Sequence, residues 1–128
     1  MQIFIATADK TLRLALLLLL ESEPGMVVTG SSDRAEGLPV VVETAQPEVL
    51  LLDCEVAGLA TADLVCALQR LIRPPRIIVL ALDPQAKEKV LACGAVAVLG
   101  KNVPPDDLLP ILRRMRAADS APKVEGTQ

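Results

Sequence analysis

The sequence predicts a doubly wound α/β domain, a three-layer sandwich with a parallel five-stranded sheet in the order 2-1-3-4-5. Three runs, Gln2–Ala6 (QIFIA), Val49–Leu52 (VLLL) and Ile77–Leu82 (IIVLAL), are apolar on both faces, as strands are when helices cover each side of a parallel sheet. Segments of helical length with apolar residues at helical spacing separate them, so the connections are right-handed βα crossovers. The chain has 128 residues, 52% hydrophobic and 23% charged, which suits one core and leaves no room for a second.

The first strand leads into a helix over Thr11–Glu21, with Leu12, Leu16, Leu19 and Leu20 on one side and Asp9 as its N-cap. Glu23-Pro24-Gly25 stops it, and the β-branched run Met26–Thr29 forms the second strand. Between Asp33 and Gln46, Gly37, Pro39 and Val40–Val42 disfavour a regular helix, so only a short one starting near Pro39 is expected. After the third strand, Leu64, Leu68, Leu71 and Ile72 mark a third helix, with Thr61 as N-cap and Pro74-Pro75 beyond its end. Asp83-Pro84 opens a fourth helix that Gly94 closes, and Ala95–Leu99 is the fifth strand. Pro104-Pro105 with Asp106 and Asp107 opens the fifth helix, whose stripe is Leu108, Leu109, Ile111, Leu112 and Met115. Pro110 costs a backbone bond only if it lies beyond the first turn. The domain is expected to span residues 1–118, with 119–128 a disordered tail or linker stub.

Composition removes whole classes of function. Thirteen Lys and Arg against sixteen Asp and Glu give a net charge of −3, with no broad basic face for nucleic acid or anionic lipid. No His is present, which excludes catalytic triads, His-based acid–base chemistry and most zinc sites. Phe4 is the only aromatic residue, so stacking platforms for bases or flavin rings are missing. A nucleotide-binding role for the loop ATADKT is disfavoured because the loop has no glycine and carries Asp9. Cys54, Cys66 and Cys93, an odd number without a Cys-x-x-Cys pair, read as reduced, buried small hydrophobes. Arg113, Arg114 and Arg116 read as a solvated basic last turn. The start lacks a basic signal-peptide region, and the Leu14–Leu20 run is too short to span a membrane, so a cytoplasmic location is expected.

In such folds the functional crevice lies outside the carboxyl ends of the strands. The residues delivered there are Thr7, Ala8 and Asp9 after strand one, Asp53 after strand three, Ala81 at the end of strand four and Lys101 after strand five. Asp53 and Lys101 each end an apolar strand and are natural partners, since an unpaired charge there is costly to desolvate.

On VLLLDCEVAG (Val49–Gly58), PPRIIVLALD (Pro74–Asp83) and ACGAVAVLGKNVPPDDLLPIL (Ala92–Leu112), the chain resembles the receiver domain of bacterial response regulators, the CheY-like, flavodoxin-like (βα)5 fold. It looks most like receivers that precede helix-turn-helix output domains, on Ser22–Gly30 and Lys101-Asn102. The resemblance implies that Asp53 holds the phosphoacceptor position and Lys101 the phosphate-pairing position. It also implies an acidic pair after strand one that binds Mg²⁺, a hydroxyl residue ending strand four and an aromatic switch on strand five. Here those positions are Thr7 and Ala8, Ala81, and Val98, and only Gly58 remains of the usual Met-Pro-Gly loop.

Asp53, with Asp9 one position late, makes a weak Mg²⁺ site at best, so no resident cofactor is expected. The expectation is therefore an atypical receiver, not an enzyme, that acts as an interaction or dimerisation module in two-component signalling with phosphorylation impaired or lost. The alternative is a receiver phosphorylated on Asp53 by a histidine kinase. Expected partners are proteins, a kinase or another signalling protein, with a homodimer through the face of the fourth helix, fifth strand and fifth helix. Val98, Leu109 and Leu112 are candidates for that face.

Overall fold

The structure, a computed structural model, describes residues 1–57, 61–82, 87–101 and 107–120, apart from the side chains of Ala57, Asp119 and Ser120. Its elements are β1 (Gln2–Ala6), α1 (Lys10–Glu21), β2 (Val27–Ser32), α2 (Leu38–Ala45), β3 (Val49–Asp53), α3 (Cys54–Ala57), α4 (Thr61–Gln69), β4 (Arg76–Ala81), α5 (Lys87–Ala92), β5 (Ala97–Gly100) and α6 (Leu108–Ser120). All strands are parallel, in the order β2-β1-β3-β4-β5, which is the sheet the sequence predicts.

Side-chain alternation divides the interior into two layers. Ile3, Ile5, Val49, Leu51, Ile78 and Leu80 face α1 and α6, where Leu16, Leu20, Leu108, Leu112 and Met115 meet them. Phe4, Ala6, Leu50, Leu52, Ile77 and Val79 face α2, α4 and α5, against Leu38, Val42, Val65, Leu68 and Val90. β1 and β2 slip register between Ile3 and Phe4, which sets Phe4 opposite Gly30. A Cβ on Gly30 would lie 3.0 Å from the Phe4 ring, so the bulge and the glycine together make room for the only aromatic side chain.

Several expectations are corrected. A short extra helix, α3, follows β3 directly, so the predicted fourth and fifth helices are α5 and α6. β2 runs to Ser32 rather than stopping at Thr29, and β5 begins at Ala97 rather than Ala95. Thr61 is the first residue of α4, and α4 ends at Gln69. Leu71 still packs on the core, but Ile72 lies past the helix and is 87% exposed. Gly94 follows α5 at φ +114°, a backbone state that favours glycine, as its place past the helix predicts. Pro110 is the third residue of α6, within the first turn.

α6 continues to Ser120, so the arginines sit in the body of the helix rather than in its last turn. They are also engaged: Arg113 grips Glu23 at 2.5 and 2.9 Å, Arg116 donates to the Pro24 carbonyl, and Arg114 to the Pro110 carbonyl. Arg113 and Arg116 thereby tie α6 to the turn between α1 and β2.

The cysteine expectation fails for two of three residues. Cys66 in α4 and Cys93 after α5 form a disulfide, with Cα atoms 4.9 Å apart, while Cys54 is free and half-buried. Packing of α4 beside α5 closes the separation of 27 residues, which spacing alone does not show.

The expected starts at Asp83-Pro84 and Pro104-Pro105-Asp106, together with Gly58, Asn102 and the tail from residue 121, lie outside the described residues. No helix among the described residues is long and apolar enough to cross a membrane.

Candidate functional site

Alternation that sorts the core also builds the crevice. Ile3-Ile5-Thr7, Val49-Leu51-Asp53 and Ala97-Leu99-Lys101 share one parity, so three strands deliver a hydroxyl, a carboxylate and an ammonium to one place. Asp53 is 1% exposed, and so is Thr7. The Thr7 hydroxyl donates to Asp53 Oδ2 at 2.7 Å, and the Lys101 ammonium lies 3.1 Å from the same oxygen. The other oxygen, Oδ1, accepts the backbone N–H of Glu55 at 3.0 Å, which starts α3. The buried carboxylate therefore has three donors, as a buried charge requires.

The donor geometry is held from behind. Thr7 Oγ1 accepts the Asp9 backbone N–H at 3.1 Å, which leaves its own proton directed at Asp53. Lys101 N donates to the Ala81 carbonyl at 2.9 Å and so anchors the chain just past β5. The ammonium also lies 3.1 Å from Glu55 Oε2, and thus bridges two carboxylates. Burial opposes the charge on Lys101, yet the hydrogen bonds and charges of Asp53 and Glu55 outweigh it and hold its pKa above the ordinary lysine value.

Among the residues singled out in the sequence, Thr7, Asp53 and Lys101 come together and the others stand apart. Ala8 is exposed at the surface. Asp9 is exposed as well, and its Oδ1 accepts the N–H groups of Thr11 and Leu12 at 2.9 and 3.1 Å, capping α1. Ala81 is buried at the end of β4 without a hydroxyl. Val98 packs, half-buried, against the layer under α5, and Leu112 is fully buried. Sequence reasoning missed Glu55; its signal was an acid two residues after Asp53, at the carboxyl end of a buried strand. Among the described residues no group of three or more His, Cys, Asp or Glu side chains is placed to hold a metal ion.

Comparison with known proteins agrees with this fold. No protein-family model matches the chain. Over 127 residues, 97% of its length, the chain is 28% identical to the transcriptional regulatory protein LiaR of Bacillus subtilis strain 168, and it spans 59% of that relative. Among solved structures it resembles the signal receiver domain of the response regulator NarL from Mycobacterium tuberculosis, with a TM-score of 0.79, 18% identity, and 94% and 97% of the two chains covered. It also resembles the response regulatory domain of mrkE from Klebsiella pneumoniae, with a TM-score of 0.82, 15% identity, and 92% and 97% covered. Sequence likeness along nearly the whole chain and the strand order agree: the chain has the fold of response-regulator receiver domains and resembles them over almost its full length.

Proposed function

We propose that this receiver works as a cytoplasmic protein–protein interaction module in two-component signalling, with Mg²⁺-dependent phosphorylation of Asp53 impaired or lost. One observation carries the reading: both oxygens of the Asp53 carboxylate are already engaged, by Thr7, Lys101 and the Glu55 N–H. Phosphoryl transfer depends on positioning and charge neutralisation, and Mg²⁺ needs near-octahedral oxygen ligands. The residues present do not fit that ion. The first acidic position is Thr7, which spends its hydroxyl on Asp53, the second is Ala8, and the Asp9 carboxylate is committed to the end of α1.

Without a metal, an approaching phosphoryl dianion is repelled by Asp53 and Glu55, each worth about 4 kcal/mol per unit charge at ~4 Å and an effective dielectric of 20. Lys101 alone offsets them. A switch also needs contacts that differ between its states, and Ala81 and Val98 supply neither a hydroxyl nor a ring.

The partners of such a module are proteins, a histidine kinase or another signalling protein. The face of α5, β5 and α6 is one candidate surface, although Val98 and Leu112 are turned inward there and Val96 is its exposed apolar residue. A second reading, Asp53 as phosphoacceptor, is favoured by the 3.1 Å Asp53–Lys101 pair. Amide NMR during titration with Mg²⁺ and then beryllofluoride separates the two. The interaction-module reading expects unchanged amides around Asp53 and Lys101; shifts there that spread into β5 would restore the phosphoacceptor.

A further inference from the structure

We infer that the exposed side of α1 is a self-association surface, on which two copies of this chain pair with their α1 helices antiparallel. α1 has the sequence KTLRLALLLLLE, apolar nearly all round, which is the pattern of a helix covered on more than one side. The fold covers only one. Leu16 and Leu20 are buried and Leu12, Leu17 and Leu19 pack partly on the core, but Leu14 is 57% and Leu18 60% exposed.

At 3.6 residues per turn, Lys10, Leu14, Leu17, Leu18 and Glu21 fall within an arc of about 100°. Leu17 and Glu21 also line a groove between α1 and β2, floored by Met26, Val27 and Val28, and Val27 is 56% exposed. A leucine ridge thus stands beside a groove of mixed lining, with Thr29 and Ser31 along its far side. The α1–β2 turn that joins them is pinned to α6 by Arg113 on Glu23 and Arg116 on the Pro24 carbonyl, so the surface is preformed.

Charge placement identifies the occupant. Lys10 opens α1 and Glu21 closes it, and neither has an ion-pair partner among the described residues. Across a two-fold axis, residue i of one copy meets j of the other and j meets i. The antiparallel register that sets Lys10 of one copy opposite Glu21 of the second also sets Leu14 opposite Leu17, twice over. Leu18 then faces Arg13, whose aliphatic stem can lie along it. A parallel pairing would instead set lysine on lysine and glutamate on glutamate. The stripe has one charge of each sign, so nothing in it selects a strongly acidic or basic partner, whereas a second copy satisfies every group. Antiparallel helix dipoles add to the same preference.

This inference rests on α1 and not on the crevice, so it and the phosphorylation reading fail separately: oligomeric state decides one, the beryllofluoride titration the other. It also places self-association on a different face from the α5–β5–α6 surface expected from the resemblance.

The test is sedimentation equilibrium of the whole 128-residue chain from low micromolar to near-millimolar concentration, with circular dichroism confirming the fold of each variant. A reversible dimer is expected. Leu18→Lys, which sets a cation against Arg13 of the second copy, and Leu14→Glu, both at exposed positions, should leave a folded monomer, while Val41→Glu on the exposed side of α2 should leave the dimer intact. Lys10→Glu and Glu21→Lys should each weaken the dimer about tenfold, because two symmetry-related contacts turn from attractive to repulsive. The double exchange should recover the original affinity. A chain that is monomeric throughout, a dimer indifferent to Leu14→Glu and Leu18→Lys but broken by Val96→Glu, or a double exchange no better than the singles would overturn the inference.

Discussion

Replacing Lys101 by Met removes the ammonium that bridges Asp53 and Glu55 while keeping most of the side-chain volume. The Lys101 side chain is 6% exposed, Asp53 1% and Glu55 54%, so nearly the whole cost falls on Asp53. Breaking a buried pair from one side costs roughly 3–5 kcal/mol. Thr7 and the Glu55 N–H still hold the carboxylate, which puts the loss near the lower end, at about 3 kcal/mol. For a domain of this size that corresponds to a fall in Tm of roughly 10–15 °C. The assay is urea denaturation of wild type, Lys101→Met, Asp53→Asn and the double variant, with Glu55→Ala as the exposed control, expected to lose no more than about 1 kcal/mol.

The two sites should couple by at least about 2 kcal/mol, since the Asp53→Asn background holds no buried carboxylate for the loss of Lys101 to leave without its cation. The pH dependence follows from the raised pKa of Lys101. A raised folded value means that the pair's stability is fully present below the unfolded lysine pKa and is lost as pH rises through the folded one. The gap between wild type and Lys101→Met should therefore hold steady at neutral pH and close only in strong alkali. A loss under about 1 kcal/mol for Lys101→Met, or strict additivity with Asp53→Asn, would refute the account of the crevice as a buried, closed ion-pair network.

Three further outcomes are expected. Thr7→Val keeps the shape but removes the donor to Asp53 Oδ2, and should cost about 1–2 kcal/mol in urea denaturation; a neutral result would mean that water replaces the hydroxyl. Reduction, or Cys66→Ser with Cys93→Ser, opens a loop with a separation of 27 residues and should lower stability by about 3–4 kcal/mol on chain-entropy grounds. Intact mass before and after dithiothreitol checks that the bond is present in the sample compared. Glu23 is held below its ordinary pKa, chiefly by its hydrogen bond from Arg113. Stability from that pair should thus be present above the unfolded carboxyl pKa and lost as pH falls through the lower folded value. Thermal melts of wild type and Arg113→Leu should differ at neutral pH and converge in acid.

Much of this protein is written locally. The apolar runs at Gln2–Ala6, Val49 and Ile77 have to be covered on both faces, and that requirement alone selects the doubly wound sheet and the strand ends as the place for polar residues. Asp53 and Lys101 were legible for the same reason, because a charge that ends a buried strand needs a partner. The cap at Asp9 and the stop at Gly94 follow from backbone chemistry within a few residues.

Tertiary packing decided the rest. Whether Thr7 would merely replace an acid or would donate to Asp53 depended on the alignment of β1 with β3, and the bridge from Lys101 to Glu55 on a one-turn helix too short to leave a periodic signal. The Cys66–Cys93 bond and the arginine clamp on Glu23 and Pro24 join residues far apart in the chain, and spacing carries no information about such contacts. The buried side of α1 is the exception, since the stripe Leu12, Leu16, Leu19 and Leu20 read from spacing is the one that packs on the core. Local patterns encode what each segment must bury; only the docking of segments fixes which groups meet, because that depends on the direction of every neighbouring side chain at once.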